Sequence, residues 1–136
     1  MFKVLGCLTL TLIPLVACGG DHGWTQVPTP PSSVEQVIYK IRQDSVSYVQ
    51  NSKGERTIVV VVQRHVVLPG FRLANETELF KLHVAYADCK AGHGLLETFR
   101  MNDNSMASSV SGFAEGVNTD SGALARAACA AAGVHE

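Results

Sequence analysis

The residues of this 136-residue chain with chemistry to offer are five histidines, a thin scatter of carboxylates and four cysteines. His22 and His135 fall in polar stretches near the two ends and read as solvated. His65, His83 and His93 lie in the middle, yet none has the HExxH or i, i+4 spacing that sets two imidazoles on one face of a helix. The group best placed to share a cation is His83, Asp88 and His93, which would make the protein a small-ligand or metal-binding accessory protein. Against that, a lone histidine on a strand is ordinarily a half-exposed polar side chain. Asp88 and Glu97 are spaced to face one another across a hairpin, as a glycosidase pair would, although strand carboxylates commonly decorate a solvated face. The chain has no GxSxG, no Ser-x-x-Lys, no CxxC and no cysteine-nucleophile pattern. No catalytic residue, metal ligand or cofactor site is assigned, and the expectation is a protein that is not an enzyme.

The N-terminal stretch gives the cysteines their context. Lys3 supplies a positive start, Val4 to Val16 is an apolar run, and the small residues Ala17, Gly19 and Gly20 follow it. That is the layout of a secretory signal. The run falls short of the roughly 20 apolar residues a membrane-spanning helix needs, and Pro14 interrupts it. Leu15-Val16-Ala17-Cys18 resembles the lipobox of bacterial lipoproteins. The resemblance implies cleavage after Ala17, a diacylglyceryl group on the Cys18 thiol and acylation of its new amino group. Two or more acyl chains anchor a protein stably where one holds only marginally. In that family an Asp directly after the cysteine often marks retention in the inner membrane. Gly19 stands there, which favours the outer membrane. Asn75-Glu76-Thr77 matches a glycosylation acceptor, a signal usually unread in bacteria.

Cys7 would leave with the signal and Cys18 would be lipidated, so Cys89 and Cys129 would remain as the two free thiols. In an oxidising envelope these are a natural disulfide with a single connectivity. A metal or redox site is the competing reading. The formal charge of the chain is −1. Loss of Lys3 leaves ten basic against twelve acidic residues, and so near-neutral a surface offers no electrostatic case for a nucleic-acid partner.

These residues have to be positioned by a single small domain. Residues 1–17 are read as signal peptide, 18–33 as lipidated N-terminus and flexible tether, and 34–136 as one α+β domain. The tether carries Pro28, Pro30 and Pro31, and Trp24 within it is expected either to sit at the membrane interface or to fold back onto the domain. Strands are predicted over Val37 to Ile41, Val46 to Gln50 and Arg56 to Val67, with Gly54 supplying a hairpin turn. Val59 to Val62 places apolar groups on both faces of the third of these, as in a central strand. Glu78 to Cys89 alternates, with Phe80, Leu82, Val84 and Tyr86 on one side and Lys81 and His83 on the other. Residues 90–94 read as a hairpin turn leading to a strand over Leu95 to Met101, and Met106 to Ala114 as a last edge strand. Asp120 or Ser121 caps a helix over Ala123 to Ala132, with Gly133 at its end and a packing stripe of Ala125, Ala128, Cys129 and Ala132. The expected architecture is an antiparallel β-meander of about five or six strands, with one C-terminal helix packed on it and one disulfide.

Asp88-Cys89 at the end of a strand, the return through Leu96 to Met101 with Phe99, and the short helix from Ser121 to Cys129 together resemble the lipoproteins similar to surface-adhesin protein E. The chain differs from that pattern in having no tryptophan among its predicted strands and in the alanine density of its helix. The resemblance implies binding of a host protein by the sheet surface and loops, without catalysis. The functional expectation is therefore a non-enzymatic, lipid-anchored cell-envelope protein acting as a binding or adhesin-like module on a host or envelope protein, with a periplasmic small-ligand or metal-binding lipoprotein as the alternative.

Overall fold

The computed structural model describes residues 23–31, 36–67, 76–103 and 105–134. The signal segment, the lipidation expected at Cys18, His22, Asn75 and His135 lie outside the described residues.

β4 (Arg56–Val67) is the longest strand and the one around which the others assemble. On one edge it pairs with β5 (Glu76–Ala85), which pairs with β6 (Gly94–Arg100), which pairs with β7 (Ser109–Phe113), every pair antiparallel. On its other edge β4 takes two short strands in series. β2 (Gln36–Arg42) covers 62–67 and β3 (Ser47–Gln50) covers 56–59, while β1 (Trp24–Val27) adds to the outside of β2. Among the described residues seven strands thus occupy six places in one antiparallel sheet, β1 being an addition to the five or six strands expected from the sequence. The break between β2 and β3 is a 3₁₀ turn at Gln43–Ser45. Its backbone cannot serve β4 there, so the Ser45 hydroxyl does: it accepts the Val61 N–H at 2.8 Å and donates to the Arg42 carbonyl at 2.6 Å.

Alternation along the strands divides the sheet into two faces. Ile41, Ile58, Val60, Val62, Phe80, Leu82, Val84 and Leu96 project to one side and are buried there under the helix α2 (Asp120–Ala131). Each such side chain contributes about 1.5–3 kcal/mol by leaving water. The helix can approach closely because Ala123, Ala125 and Ala128 form its inner side with Leu124 and Cys129. Its cap is one or two residues earlier than expected, and the helix begins at Asp120 instead of Ala123. Thr119 is the N-cap, its hydroxyl accepting the Gly122 N–H at 3.0 Å, with Asp120 in the first turn favourably placed at the positive end of the helix dipole. At the other end Gly133 takes φ +73°, the Val134 N–H reaches back to the Cys129 carbonyl, and the buried Val134 side chain closes a Schellman motif.

Three local features differ from the sequence expectation. The strand read to Cys89 ends at Ala85, and Tyr86–Ala91 is a six-residue helix, α1. Ala87, Lys90 and Ala91 are good helix formers, and Gly92 at φ +76° ends the helix with its N–H on the Asp88 carbonyl. Alternation runs on through Tyr86 by coincidence, so the pattern hides the change. Consequently the Cys89–Cys129 disulfide, with Cα atoms 5.6 Å apart, ties α1 to α2 instead of a strand to α2. Finally, part of the stretch read as tether belongs to the sheet. Trp24 pairs with Arg42 and Val27 with Tyr39, and Val27 is buried in the core, which outweighs the prolines that follow it. Trp24 folds back onto the domain as a half-buried strand residue.

Candidate functional site

Among the described residues no helix lies over the second face of the sheet, yet three of its residues are nearly inaccessible. Thr57 is 3% exposed, Val59 7% and Phe99 8%. They floor a depression of about 480 Å³ between the β3–β4 hairpin and the β6–β7 connection. Both walls are pinned by short side-chain hydrogen bonds. In the hairpin the Asn51 side-chain oxygen accepts the N–H groups of Lys53 and Glu55 at 2.9 Å, and Gly54 turns the chain at φ +76°. In the connection the Asp103 carboxylate accepts the Ser105 hydroxyl at 2.6 Å and its N–H at 2.8 Å. The hydroxyl first and the amide second hold the Asp103 carboxyl below the usual carboxylate range. Ser105 and Ala107 then form that side of the depression, and Ser47 and Val49 the other.

Register decides which polar groups enter. Val59, His83 and Glu97 stand in one row across β4, β5 and β6, and Lys81 and Phe99 stand opposite each other in the next. The His83 ring lies on Phe99, centroids 4.0 Å apart and planes tilted by 33°. Its Nε2 is buried and has no hydrogen-bond partner among the described residues. Burial foremost, and the neighbouring Lys81 ammonium second, lower the His83 pKa from 6.5 to about 4. The imidazole is therefore neutral at pH 7, able to donate or accept one hydrogen bond at Nε2 according to tautomer. A buried polar atom without a partner costs free energy in a folded protein, and such atoms collect at sites completed by something else.

The residues singled out from the sequence are not assembled as proposed. His83 is in this depression, Asp88 is on α1, and His93 is exposed in the turn beyond it. The Asp88 carboxylate is occupied in accepting the Leu95 N–H at 3.2 Å. Gly94, at φ +152°, leaves room for that carboxylate, since a Cβ there would lie 2.1 Å from it. Among the described residues no group of three His, Cys, Asp or Glu side chains is gathered closely enough to hold a metal ion. Nor do Asp88 and Glu97 form a carboxylate pair, because Glu97 lies opposite His83 on the uncovered face. His65 is engaged with the Thr77 hydroxyl at 2.8 Å.

Lys81, Thr57, Val59, Glu97 and Phe99 were not grouped by the sequence reading. The signal that would have found them is the apolar run Val59 to Val62, which requires cover on both faces of β4, combined with the hairpin register that sets His83 beside it. A smaller depression of about 360 Å³ at the start of α2 holds Arg64, Arg100 and several hydroxyls. Three of those hydroxyls already bond one another, Thr98 to Ser109 at 2.6 Å and to Ser108 at 3.0 Å. Among the described residues no helix is long and apolar enough to cross a membrane. Comparison with known proteins finds no matching family model, no matching curated protein and no matching solved structure.

Proposed function

We propose that this chain is a non-enzymatic, lipid-anchored protein of the bacterial outer membrane that binds a partner protein through the uncovered face of its sheet, in the manner of an adhesin. The observation that carries the reading is the set of exposed apolar side chains on the uncovered face. Val49, Leu79, Leu95 and Val110 all lie on that face and are 43–54% exposed. Exposed apolar side chains gathered on one face of a sheet are a common mark of an interaction surface. The attachment rests on the Leu15-Val16-Ala17-Cys18 motif, and lipid at Cys18 would tether the domain to the membrane through the segment before β1.

The test is a pair of photo-crosslinking side chains placed in intact cells or envelopes, one at Val110 on the uncovered face and one at Ala130, exposed on α2. Adducts from position 110 that are absent from position 130 support the reading. Equal adducts, or none at 110, contradict it. Acyl labelling that is abolished in Cys18→Ala tests the anchor separately.

One observation favours a second reading, binding of a small ligand on the same face. Nε2 of His83 is buried and unpartnered within a depression of ligand size.

A further inference from the structure

The two margins of the sheet are built differently. On one side the edge is stepped, β1 lying outside β2 while β3 lies directly on β4, and each of these outer strands has only four residues. The turn between β2 and β3 carries the Arg42–Asp44 ion pair at 2.9 Å, and prolines at 28, 30 and 31 follow β1. Short strands, charges and prolines are the usual means by which a sheet is kept from growing. On the other margin β7 has no such device. It reads Ser109-Val110-Ser111-Gly112-Phe113, without charge or proline, and among the described residues no strand pairs with its outer side. Alternate residues of an edge strand turn their N–H and carbonyl groups outward, where a further strand can take them.

Side chains say which strand. On the uncovered face Gly112 stands opposite Leu95 and Val110 opposite Glu97. Leu95 is 54% exposed beside a residue that has no side chain to cover it, and a Cβ at position 112 would meet nothing nearer than the Gly94 carbonyl at 3.9 Å. Val110 is 54% exposed as well. The strand that completes this edge is therefore uncharged, with an apolar side chain to lay beside Gly112 and a small residue to lay beside Val110. That description is β7 itself turned end for end about Ser111. Val110 of a second copy then falls beside Gly112, on the side away from Leu95, and the same contact recurs across the axis. Pairing of a strand with its own copy is a closed two-fold contact that stops at two chains.

We infer that two copies of this chain pair through β7, antiparallel and about a two-fold axis at Ser111, so that their sheets join into one. Val110 is covered by the pairing, while Val49 and Leu79, on strands farther from the axis, stay open on a surface of doubled extent. The pairing stands independently of what that surface binds.

The experiment places single cysteines in the full chain in intact envelopes. In Ser111→Cys the new thiol lies opposite its own counterpart, at the roughly 4.5–5.5 Å Cα separation of paired strands, which a disulfide spans. In Ser109→Cys it lies opposite Phe113 of the second copy, about 13 Å along the strand from its counterpart. Mild oxidation is expected to convert Ser111→Cys to a species of twice the chain mass, and to leave Ser109→Cys and Ala130→Cys, the latter on the exposed side of α2, as single chains. Val110→Lys sets an ammonium opposite Glu97 within its own sheet, which suits the fold, but puts a charge into the shared edge twice. Added to Ser111→Cys, it is expected to lower the yield of the doubled species by about tenfold at unchanged melting temperature. No doubled species from Ser111→Cys, equal yields at all three positions, or a yield indifferent to Val110→Lys would overturn the pairing. The partner-protein reading is decided apart from it, by adducts at Val110 of a mass other than twice the chain's.

Discussion

The two faces of the sheet are built from the same strands, and in β4 from neighbouring valines, but they are dried by different means. On the helix side Ile58, Val60, Val62, Leu82 and Val84 are sealed completely by α2, a helix whose small side chains let it lie flat. On the other side Thr57, Val59 and Phe99 are dried by two pinned turns that rise beside them and leave an opening. The first arrangement is closed, wholly apolar and braced by a disulfide. The second is open, sets a half-buried imidazole, an ammonium and a carboxylate beside an aromatic floor, and shares its face with exposed apolar side chains. What differs between the faces is that the open one holds a polar atom, Nε2 of His83, without a partner among the described residues, and that difference separates a core from a candidate site.

The largest effect expected concerns the closed face. Cys89→Ser or Cys129→Ser opens a loop spanning 40 residues, and on the chain-entropy account this costs about 4 kcal/mol, visible as a fall in melting temperature that reductant reproduces in the parent chain. Unchanged melting in both variants would mean that α2 is held by packing alone. A sharper contrast between faces comes from two leucines on one strand. Leu82→Ala, beneath α2 and fully buried, is expected to cost about 3 kcal/mol. Leu79→Ala, 45% exposed on the other side, is expected to change stability by less than about 0.5 kcal/mol. Comparable losses at both positions would show that the second face is covered after all.

A smaller effect belongs to the open face and to pH. Above pH 6.5 His83 is neutral both folded and unfolded, so its contribution to stability is fully present. As pH falls below 6.5 the unfolded chain gains a proton that the folded ring refuses until about pH 4. Stability is lost across that window, by about 1–2 kcal/mol once solvent screening of a half-buried ring is allowed for. Denaturant titrations of the parent and of His83→Gln between pH 7 and 4 should diverge in slope, the variant being flatter. Parallel curves would place the ring in water.

Much of the closed face could be read from residue order, because periodicity reports burial on one side. The bounds of β4, the Ala125, Ala128 and Cys129 stripe, the turn at Gly54 and the helix end at Gly133 follow from patterns local to each element, while the pairing of Cys89 with Cys129 was read from the count of thiols left after the N-terminal two were assigned. The short helix α1 was hidden because Tyr86 continues the alternation of the strand before it, and β1 because a four-residue strand beside prolines has almost no pattern of its own. The open site was legible only as isolated residues. Thr57 appears polar and dispensable until the register sets it among Ala85, Val59 and the hairpin wall, and the partner of His83 proves to be the Phe99 ring one strand away and not a second ligand nearby in sequence. Sites formed by register across three strands leave no short motif behind, which is why the grouping of His83 with Asp88 and His93 failed.

The most direct test of the view that the uncovered face encloses a prepared, water-poor site is the titration of the His83 ring by NMR in the unliganded full chain. A midpoint near pH 4 that rises when Lys81 is replaced by Met is the predicted result. A midpoint near 6.5, indifferent to that replacement, would show an imidazole bathed in solvent and would contradict the account.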